Sequence, residues 1–380
     1  MILKKIALFI INLFLYQISN LYKKDTRIWL FGSWFGNKYS DNPKAFFEYI
    51  NANHKEIRAV WITDNPLIIK HIKDLGYEVY KKYSFKAIKI AFKSKFVFVS
   101  HSCNVDIMPF VNSYKTDIIQ LWHGQPLKKI HYDDDYNLQS KLLFKIKKKI
   151  APFIHEEYKF ITACSSEDQK NFKSAFKNEN VIITGYSRND LLFKTNNSLN
   201  KTILYLPTFR DNLGSEIDLF SNYNFCIKTW SNYLKSIGYT LLIKMHPANK
   251  PSKLSINKFN SIESIEFLDE NVDILDCLAQ SDILITDYSS VYFDYLLIDK
   301  PIIFSPFDYQ KYISKDRKLY YNYDKVTPGP KCYDWVEVFE WVKKFNINPN
   351  HYIEERNNIK NRFHKYTDAE SSKRIFQNIF

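Results

Sequence analysis

The chain is poor in the residues that build flexible or cross-linked proteins. Its 380 residues include only 8 glycines and 13 prolines, which argues against long flexible linkers and low-complexity segments. The 5 cysteines are scattered and form no CxxC pair, so we expect neither a zinc site nor a disulfide framework. We predict that most of them are small buried side chains in a reducing compartment.

Signatures of common nucleotide-binding sites are also missing. The sequence contains no P-loop and no GxGxxG motif. The nearest approach to a DxD pair is Asp133-Asp134-Asp135, which lies in a polar loop and not at the end of a predicted strand. These absences disfavour a divalent-metal nucleotide enzyme and a nicotinamide enzyme. We therefore predict no bound metal and no cofactor.

Acidic residues are outnumbered by basic ones. The chain has 54 Lys and Arg against 41 Asp and Glu, a formal net charge of +13. This balance favours an anionic partner, which could be nucleic acid, an anionic membrane surface or a phosphate-rich substrate. With 45% hydrophobic and 25% charged residues, a chain of this length is expected to form a globular protein of two domains.

No apolar run reaches the roughly 20 residues that a membrane-spanning helix needs. The apolar part of residues 1–24 is shorter and is interrupted by Asn12, and no small-residue cleavage site follows it. On a helix, one narrow polar face would contain Lys5, Asn12, Ser19 and Lys23. We predict an amphipathic helix in a membrane interface, with a helix packed on the first domain as the alternative. Residues 141–150 carry five lysines and an apolar face, which suits docking on anionic lipid or a solvated helix.

From Arg27 onward, short apolar runs alternate with helical stretches, which is the pattern of a parallel α/β sheet. A polar, turn-rich segment at 195–200 separates seven runs from five. The predicted strands are 28–33, 59–64, 77–80, 96–101, 117–122, 159–163, 181–184, 202–206, 240–244, 265–268, 282–286 and 301–305. We predict two α/β domains, 25–195 and 196–352, with the active cleft between them. A helical segment, 353–380, is expected to pack back on either domain.

Polar clusters follow five of these strands, at 123–128, 185–190, 207–211, 245–247 and 287–290. Parallel sheets bind ligands at the carboxyl ends of their strands, where these clusters place His123, Arg210 and His246. A guanidinium suits phosphate oxygens, and a neutral histidine suits a general base near physiological pH. The alternatives are structural: hydrogen-bonding histidines, a local Arg210-Asp211 ion pair and a turn at Gly185.

The last cluster belongs to the stretch 281–307. An apolar run ends at Asp287-Tyr288-Ser289-Ser290, and a helix is predicted over 291–298. Hydroxyls at a helix N-terminus favour an anion such as phosphate. Two serines that only cap the helix are the alternative.

Five segments resemble the CDP-glycerol glycerophosphotransferase family, which includes teichoic-acid primases and polymerases and related capsule polymerases. In chain order they are WHGQPLKKI at 122–130, GYSRNDLL at 185–192, LPTFRD at 206–211, KMHP at 244–247 and DILITDYSSVYFDYLLIDKPIIF at 282–304. The match spans about residues 27 to 345 in the family's order. It departs from the family pattern at Gln125, usually Thr, and at Ser187, usually Pro, which puts acceptor or donor preference in doubt.

The resemblance implies a GT-B fold, with two Rossmann-like parallel-sheet domains facing a central cleft, attached peripherally to the cytoplasmic face of the bacterial membrane. It implies transfer of glycerol phosphate, or of ribitol phosphate, from a CDP-polyol to a lipid-linked or polymeric glycan acceptor, with release of CMP and without a metal. Two alternatives stay open. One is a GT-B glycosyltransferase using a nucleotide sugar, and the other is a basic protein that binds nucleic acid or anionic lipid. The polyol, the acceptor and the oligomeric state are not predicted.

Carried over by motif, His123 would be the general base on the acceptor hydroxyl. His246, the second predicted catalytic residue, would hold the donor pyrophosphate together with Arg210 and the Ser289-Ser290 turn, and Asp287 would help to shape that site. The remaining predicted donor- or substrate-binding residues are Gly124, Gly185, Arg188, Asp190, Thr208, Asp211 and Asp294.

Overall fold

The computed structural model describes residues 2–134, 150–194, 201–208, 210, 218–245, 259, 262–269, 272–315 and 318–380. The chain forms two compact units. The first consists of Met1–His123, His131–Asp190 and Glu370–Phe380, and the second of Gly124–Ile130 and Leu191–Ala369. The C-terminal segment is therefore divided between the units at residue 370. The predicted linker 195–200 and residues 141–149 of the lysine-rich segment lie outside the described residues.

The first unit is built on a parallel sheet of seven strands in the order β3-β2-β1-β4-β5-β6-β7. Its strands are β1 (Asp25–Phe31), β2 (Arg58–Thr63), β3 (Val79–Lys81), β4 (Ser94–Val99), β5 (Asp117–Gln120), β6 (Tyr158–Ala163) and β7 (Val181–Ile183). All seven runs predicted in this half are strands. In β1, Trp29, Leu30 and Phe31 are fully buried, because alternate side chains enter the apolar cores on the two faces of the sheet.

The second unit contains a parallel sheet of five strands in the order β10-β9-β8-β11-β12. Its strands are β8 (Lys201–Leu206), β9 (Tyr239–Ile243), β10 (Ile265–Phe267), β11 (Ile283–Thr286) and β12 (Ile302–Phe304). The five predicted runs of this half are confirmed as well. The central strand β8 pairs with β9 and β11, so Leu204 lies between Leu242 and Leu284.

Fourteen α-helices are found among the described residues. They are α1 (Ile2–Leu21), α2 (Asp41–Asn53), α3 (Pro66–Asp74), α4 (Phe85–Lys93), α5 (Cys103–Asp106), α6 (Ser166–Phe176), α7 (Ile227–Ile237), α8 (Ile274–Gln280), α9 (Val291–Tyr295), α10 (Tyr309–Lys315), α11 (Tyr323–Val326), α12 (Trp335–Ile347), α13 (Ile353–Phe363) and α14 (Ser371–Gln377). Short 3₁₀ turns include Ser187–Phe193 and Leu296–Ile298.

Helix α1 occupies the predicted N-terminal segment. Its polar face is buried against the protein, however, and does not face outward as expected for a helix in a membrane interface. Asn12 and Ser19 are buried, and Asn12 Nδ2 donates to Tyr83 Oη at 3.0 Å. A buried amide needs such a partner, so this face packs on the first unit. The other side of the helix exposes apolar side chains, with Ile10 58% and Phe14 66% accessible. In the part of the chain that the structure describes, no helix has both the length and the apolarity to cross a bilayer.

Candidate active site

His123 lies in the loop that follows β5. The loop turns sharply, because Trp122 has a positive φ of 57° and Gly124 a φ of 134°. Gln120, buried at the end of β5, accepts a hydrogen bond from the Trp122 N–H at 3.0 Å through Oε1. The strand end therefore fixes the loop immediately before the histidine.

The imidazole of His123 is held in one tautomer. Its Nδ1 lies 2.9 Å from the Ser100 carbonyl oxygen, which can only accept a hydrogen bond. Nδ1 consequently carries the proton of the neutral ring, and Nε2 keeps its lone pair. Burial lowers the pKa of His123 below its ordinary value, although the carboxylate of Asp41 acts in the opposite direction. The ring is therefore neutral at physiological pH and can accept a proton at Nε2.

Arg188, a predicted substrate-binding residue, contacts the His123 loop from within the first unit. Its Nη1 donates to the His123 carbonyl at 2.8 Å and to Asp41 Oδ1 at 2.8 Å. Burial opposes ionisation of Asp41, but Arg188 and His123 outweigh it and hold the pKa of Asp41 below its ordinary value. Arg188 thus fixes the loop that carries His123, and its role toward substrate stays a prediction.

The start of helix α2 clamps the same loop, which sequence reasoning missed. Asn42 Nδ2 donates to the carbonyls of Leu121 and Trp122, both at 3.0 Å, and its Oδ1 accepts from the Arg188 N–H at 3.1 Å. Asp41 itself has a positive φ of 70°. The available signal was the polar Ser40-Asp41-Asn42-Pro43 helix start, which predicts a cap but no chemistry.

Asp106 organises two loops at the strand ends and was also missed. Its carboxylate accepts the backbone N–H groups of Phe35, Ser100 and His101 at 2.8, 2.9 and 2.7 Å. Burial raises the pKa of Asp106. Sequence alone offered no signal, because a lone Asp in helix α5 matches no catalytic motif.

Gly185 and Asp190, both predicted to bind donor or substrate, contact the C-terminal helix α14. Gly185 has a φ of 78°, and a side chain there would collide with Ser371 Oγ. The two carboxylate oxygens of Asp190 accept the N–H groups of Ser371 and Ser372, each at 2.9 Å. These motif residues therefore anchor α14 in the first unit, and their binding role stays a prediction.

In the second unit, Arg210 pairs with two carboxylates after β11 and β12. Its Nη2 lies 2.7 Å from Asp287 Oδ2, and its Nε lies 2.8 Å from Asp308 Oδ2. Nη1 donates to the Thr208 carbonyl at 2.7 Å. Burial opposes the charge, but Asp287 and Asp308 outweigh it and raise the pKa of Arg210. The guanidinium expected to meet a pyrophosphate is thus engaged with carboxylates.

Asp287 joins this network to the end of β8. Its Oδ1 accepts the N–H of Thr208 at 2.8 Å and the Thr208 hydroxyl at 2.5 Å. The Tyr323 hydroxyl donates to the Asp287 carbonyl at 3.0 Å. Asp287 therefore shapes this region, with Asp308 as a partner that sequence reasoning missed. Asp211, the ion-pair partner considered for Arg210, lies outside the described residues.

Helix α9 begins at Val291, as predicted, after Ser289 and Ser290. The Val291 N–H donates to Ser289 Oγ at 3.4 Å, while Ser290 has helical φ and ψ angles and makes no side-chain cap. The helix has only five residues before a 3₁₀ turn, so its dipole is small. Asp294 is buried inside it. The structure supports the capping interpretation for Ser289, and the donor role of both serines stays a prediction.

Gln125, where the motif departs from the family pattern, is buried in the second unit. Its amide nitrogen lies 3.4 Å from Nδ1 of His364, which can accept a hydrogen bond, because Nε2 of that ring donates to the Phe293 carbonyl at 2.7 Å. Ser187, the other departure, is buried at the start of a 3₁₀ turn. His246 lies outside the described residues. Within the described ranges no group of three His, Cys, Asp or Glu side chains could hold a metal ion.

Two parallel-sheet α/β units, with polar clusters at the carboxyl ends of their strands, define a protein of the GT-B class. The solved wall teichoic acid polymerase TagF has the same fold, with a TM-score of 0.74 over 96% of this chain and 92% of that one at 22% identity. The sequence model for CDP-Glycerol:Poly(glycerophosphate) glycerophosphotransferase matches residues 14–380. The chain belongs to this family, which confirms the predicted enzyme class.

Curated relatives agree with this assignment. The chain is 29% identical over 373 residues to the teichoic acid glycerol-phosphate transferase of Staphylococcus aureus, covering 92% of each chain. It is 29% identical over 354 residues to the teichoic acid poly(glycerol phosphate) polymerase of Bacillus spizizenii, covering 87% of this chain and 86% of the relative. This chain is therefore similar to both relatives along most of their length.

Proposed function

We propose that the protein transfers glycerol phosphate from CDP-glycerol to a hydroxyl of a teichoic-acid-like or capsule polymer, or of its lipid-linked precursor, and releases CMP. Ribitol phosphate from CDP-ribitol is the second donor considered. The observation that carries the proposal is the bond from His123 Nδ1 to the Ser100 carbonyl, because it leaves Nε2 free to act as a base. Family membership supplies the substrate class.

The reaction is an in-line displacement at phosphorus. His123 Nε2 takes the proton of the acceptor hydroxyl while the acceptor oxygen bonds to the β-phosphorus of the donor. The bond between that phosphorus and the oxygen bridging to the α-phosphate breaks, and its electrons leave with CMP. The proton on His123 then passes to solvent. A base of this kind contributes about 10²–10⁴ in rate.

Donor binding is assigned to the second unit. The ion pairs of Arg210 hold together the segments that follow β8, β11 and β12. Ser289 and Ser290 belong to the segment after β11, and His246 follows β9 in the sequence. Hydroxyl, imidazole and backbone N–H groups can bind phosphate oxygens without a metal. We therefore propose that transfer needs no bound metal.

Peripheral attachment to the cytoplasmic face of the membrane is part of the proposal. Helix α1 packs its polar face on the first unit and exposes Ile6, Ile10 and Phe14 on the other side. An exposed apolar helix face beside lysines is typical of a helix at a lipid interface. The net charge of +13 favours anionic headgroups.

The test incubates the purified protein with CDP-glycerol or CDP-ribitol and a lipid-linked or oligomeric acceptor. CMP release and a product heavier by one polyol phosphate are expected with one donor, and EDTA should not abolish them. His123→Gln should reduce the rate by about 10²–10⁴. The matched control is His54→Gln, a histidine of the same unit that packs on Phe376.

Three results would contradict the proposal. Absence of CMP with every acceptor and both donors would remove the activity. A product that gains a sugar and no phosphorus would favour the nucleotide-sugar glycosyltransferase. Full activity of His123→Gln would remove the general base, and binding of anionic lipid or nucleic acid without turnover would favour the non-enzymatic alternative.

A further inference from the structure

His101 is a second histidine beside His123, and the proposed mechanism does not use it. The two imidazole rings stack in parallel, with centroids 4.4 Å apart and planes 10° from each other. His101 follows β4 and His123 follows β5, and these strands are neighbours in the sheet. The two rings therefore come from adjacent strands at the same sheet edge.

The ring of His101 is held from several sides. Trp34 and Phe35 contact it with centroid distances of 4.9 and 4.6 Å. Its Nδ1 lies 2.9 Å from the Ser100 hydroxyl, and the carbonyl of the same serine bonds His123 Nδ1. One residue thus fixes the orientation of both histidines.

Burial, together with the charges around the pair, decides which ring takes a proton. Burial, followed by the neighbouring His123, lowers the pKa of His101 to about 4. The other charged or titratable groups that act on the two rings are Asp41, Asp106, Arg188 and His131. His101 is therefore neutral when His123 accepts the acceptor proton. The resulting imidazolium lies against the face of a neutral aromatic ring, which attracts a cation.

We propose that His101 is a positioning residue for the base: its neutral ring holds the His123 imidazole in one orientation and stabilises the imidazolium formed during transfer. The inference rests on the proposed role of His123 as general base. It adds a residue that lies outside the five motif segments on which the family resemblance stands.

The test compares two variants of similar volume that differ in their aromatic face. His101→Phe keeps the stacking surface and should retain kcat within about threefold of the wild type. His101→Leu removes it and should lower kcat by about 10- to 30-fold with KM within about threefold, as expected for losing a desolvated cation–π contact. His54→Leu, which removes the stack on Phe376 at 3.7 Å, is the matched control and should leave kcat unchanged.

A second measurement does not depend on activity. The stacked His101 ring shifts the His123 ring protons upfield in NMR spectra of the free protein, and the Trp122 ring, whose centroid lies 4.1 Å from that of His123, adds to the shift. The upfield shift should persist in His101→Phe and fall to the Trp122 contribution alone in His101→Leu. Equal kcat values for the two variants, or a change confined to KM, would overturn the inference. If the wild type releases no CMP, the proposed function fails, while the NMR comparison still decides whether His101 positions His123.

Discussion

The carboxylate of Asp41 and the guanidinium of Arg188 form an ion pair of 2.8 Å whose side chains are only 5% and 11% exposed. Arg188 uses the same Nη1 atom to hold the carbonyl of His123. The pair therefore links the start of α2 to the loop that carries the proposed base. Because Arg188 bonds the backbone carbonyl of His123, the pair positions the loop, whereas the bond to the Ser100 carbonyl sets the tautomer of the ring.

Removing Asp41 should destabilise the first unit and weaken catalysis together. Asp41→Ala leaves Arg188 buried without its carboxylate, which costs about 3–5 kcal/mol of unfolding free energy. Urea unfolding measures this loss. Glu340→Gln, in the exposed pair with Lys343, is the control and should change stability by less than about 1 kcal/mol. Unchanged stability of Asp41→Ala would show that the pair does not hold the loop.

The stability of the first unit should fall as the pH is lowered below about 6.5. The pKa of His101 is about 4 in the folded protein and about 6.5 when unfolded, so the unfolded chain binds more protons between these values. The loss attributable to His101 reaches about 3 kcal/mol. Asp106, whose pKa is raised, acts in the opposite direction, so the comparison must be with His101→Phe. That variant should show a flatter decline, and identical slopes would contradict the shift.

The strands could be predicted because each is an apolar run bounded by polar turns, and a parallel sheet covered on both faces requires such runs. The start of α6 is equally local, because the Oγ of Ser165 accepts from the Asp168 N–H at 3.2 Å. Packing of α1 on the first domain was the alternative considered, but the face that packs could not be predicted. Asn12 bonds Tyr83, which lies 71 residues away in the turn between β3 and α4.

The site was predictable only where its residues stand in strand-end motifs. His123 and Arg210 were singled out in this way, and their roles stay predictions. Asn42 was not, because its amide donates to a carbonyl 79 residues further along the chain. Asp308 likewise acts on Arg210 across 98 residues. Such partners carry no local pattern, so periodicity and motif spacing cannot reveal them.

Replacing Arg210 should lower the unfolding free energy of the second unit, because its guanidinium pairs with carboxylates of the same unit. Arg210→Ala leaves the buried Asp287 and the half-buried Asp308 without their cation, which costs about 3–5 kcal/mol. Arg210→Lys keeps the charge but cannot form the fork, so an intermediate loss is expected. Chemical unfolding of each variant tests this. A variant of unchanged stability whose donor affinity alone falls would assign Arg210 to the donor phosphates.

Gly185→Ala should loosen the C-terminal helix α14. The backbone at Gly185 has a φ of 78°, and the new methyl group would meet Ser371 at the start of that helix. We expect a loss of more than about 1 kcal/mol and faster amide exchange in α14. Gly238→Ala is the matched control, with a φ of 68° and open space around the added carbon. Gly238→Ala should lose only the stability that the unfavourable backbone angle costs. Equal losses of unfolding free energy for the two variants would therefore exclude the contact with Ser371.

Membrane binding should depend on the exposed apolar face of α1, formed by Ile6, Ile10 and Phe14, and not on exposed apolar residues elsewhere in the protein. Ile6, Ile10 and Phe14 are 50%, 58% and 66% exposed, and burying such side chains in lipid contributes about 1.5–3 kcal/mol each. Replacing all three by Asn should therefore abolish sedimentation with vesicles containing phosphatidylglycerol. The first unit should stay folded, because α1 contacts it through the opposite face of the helix. Leu67→Asn, at a 76% exposed position of α3, is the control and should bind as the wild type does. Equal binding by the triple variant would assign attachment to lysine side chains, such as those of the segment 141–150, and that binding would then disappear at high salt.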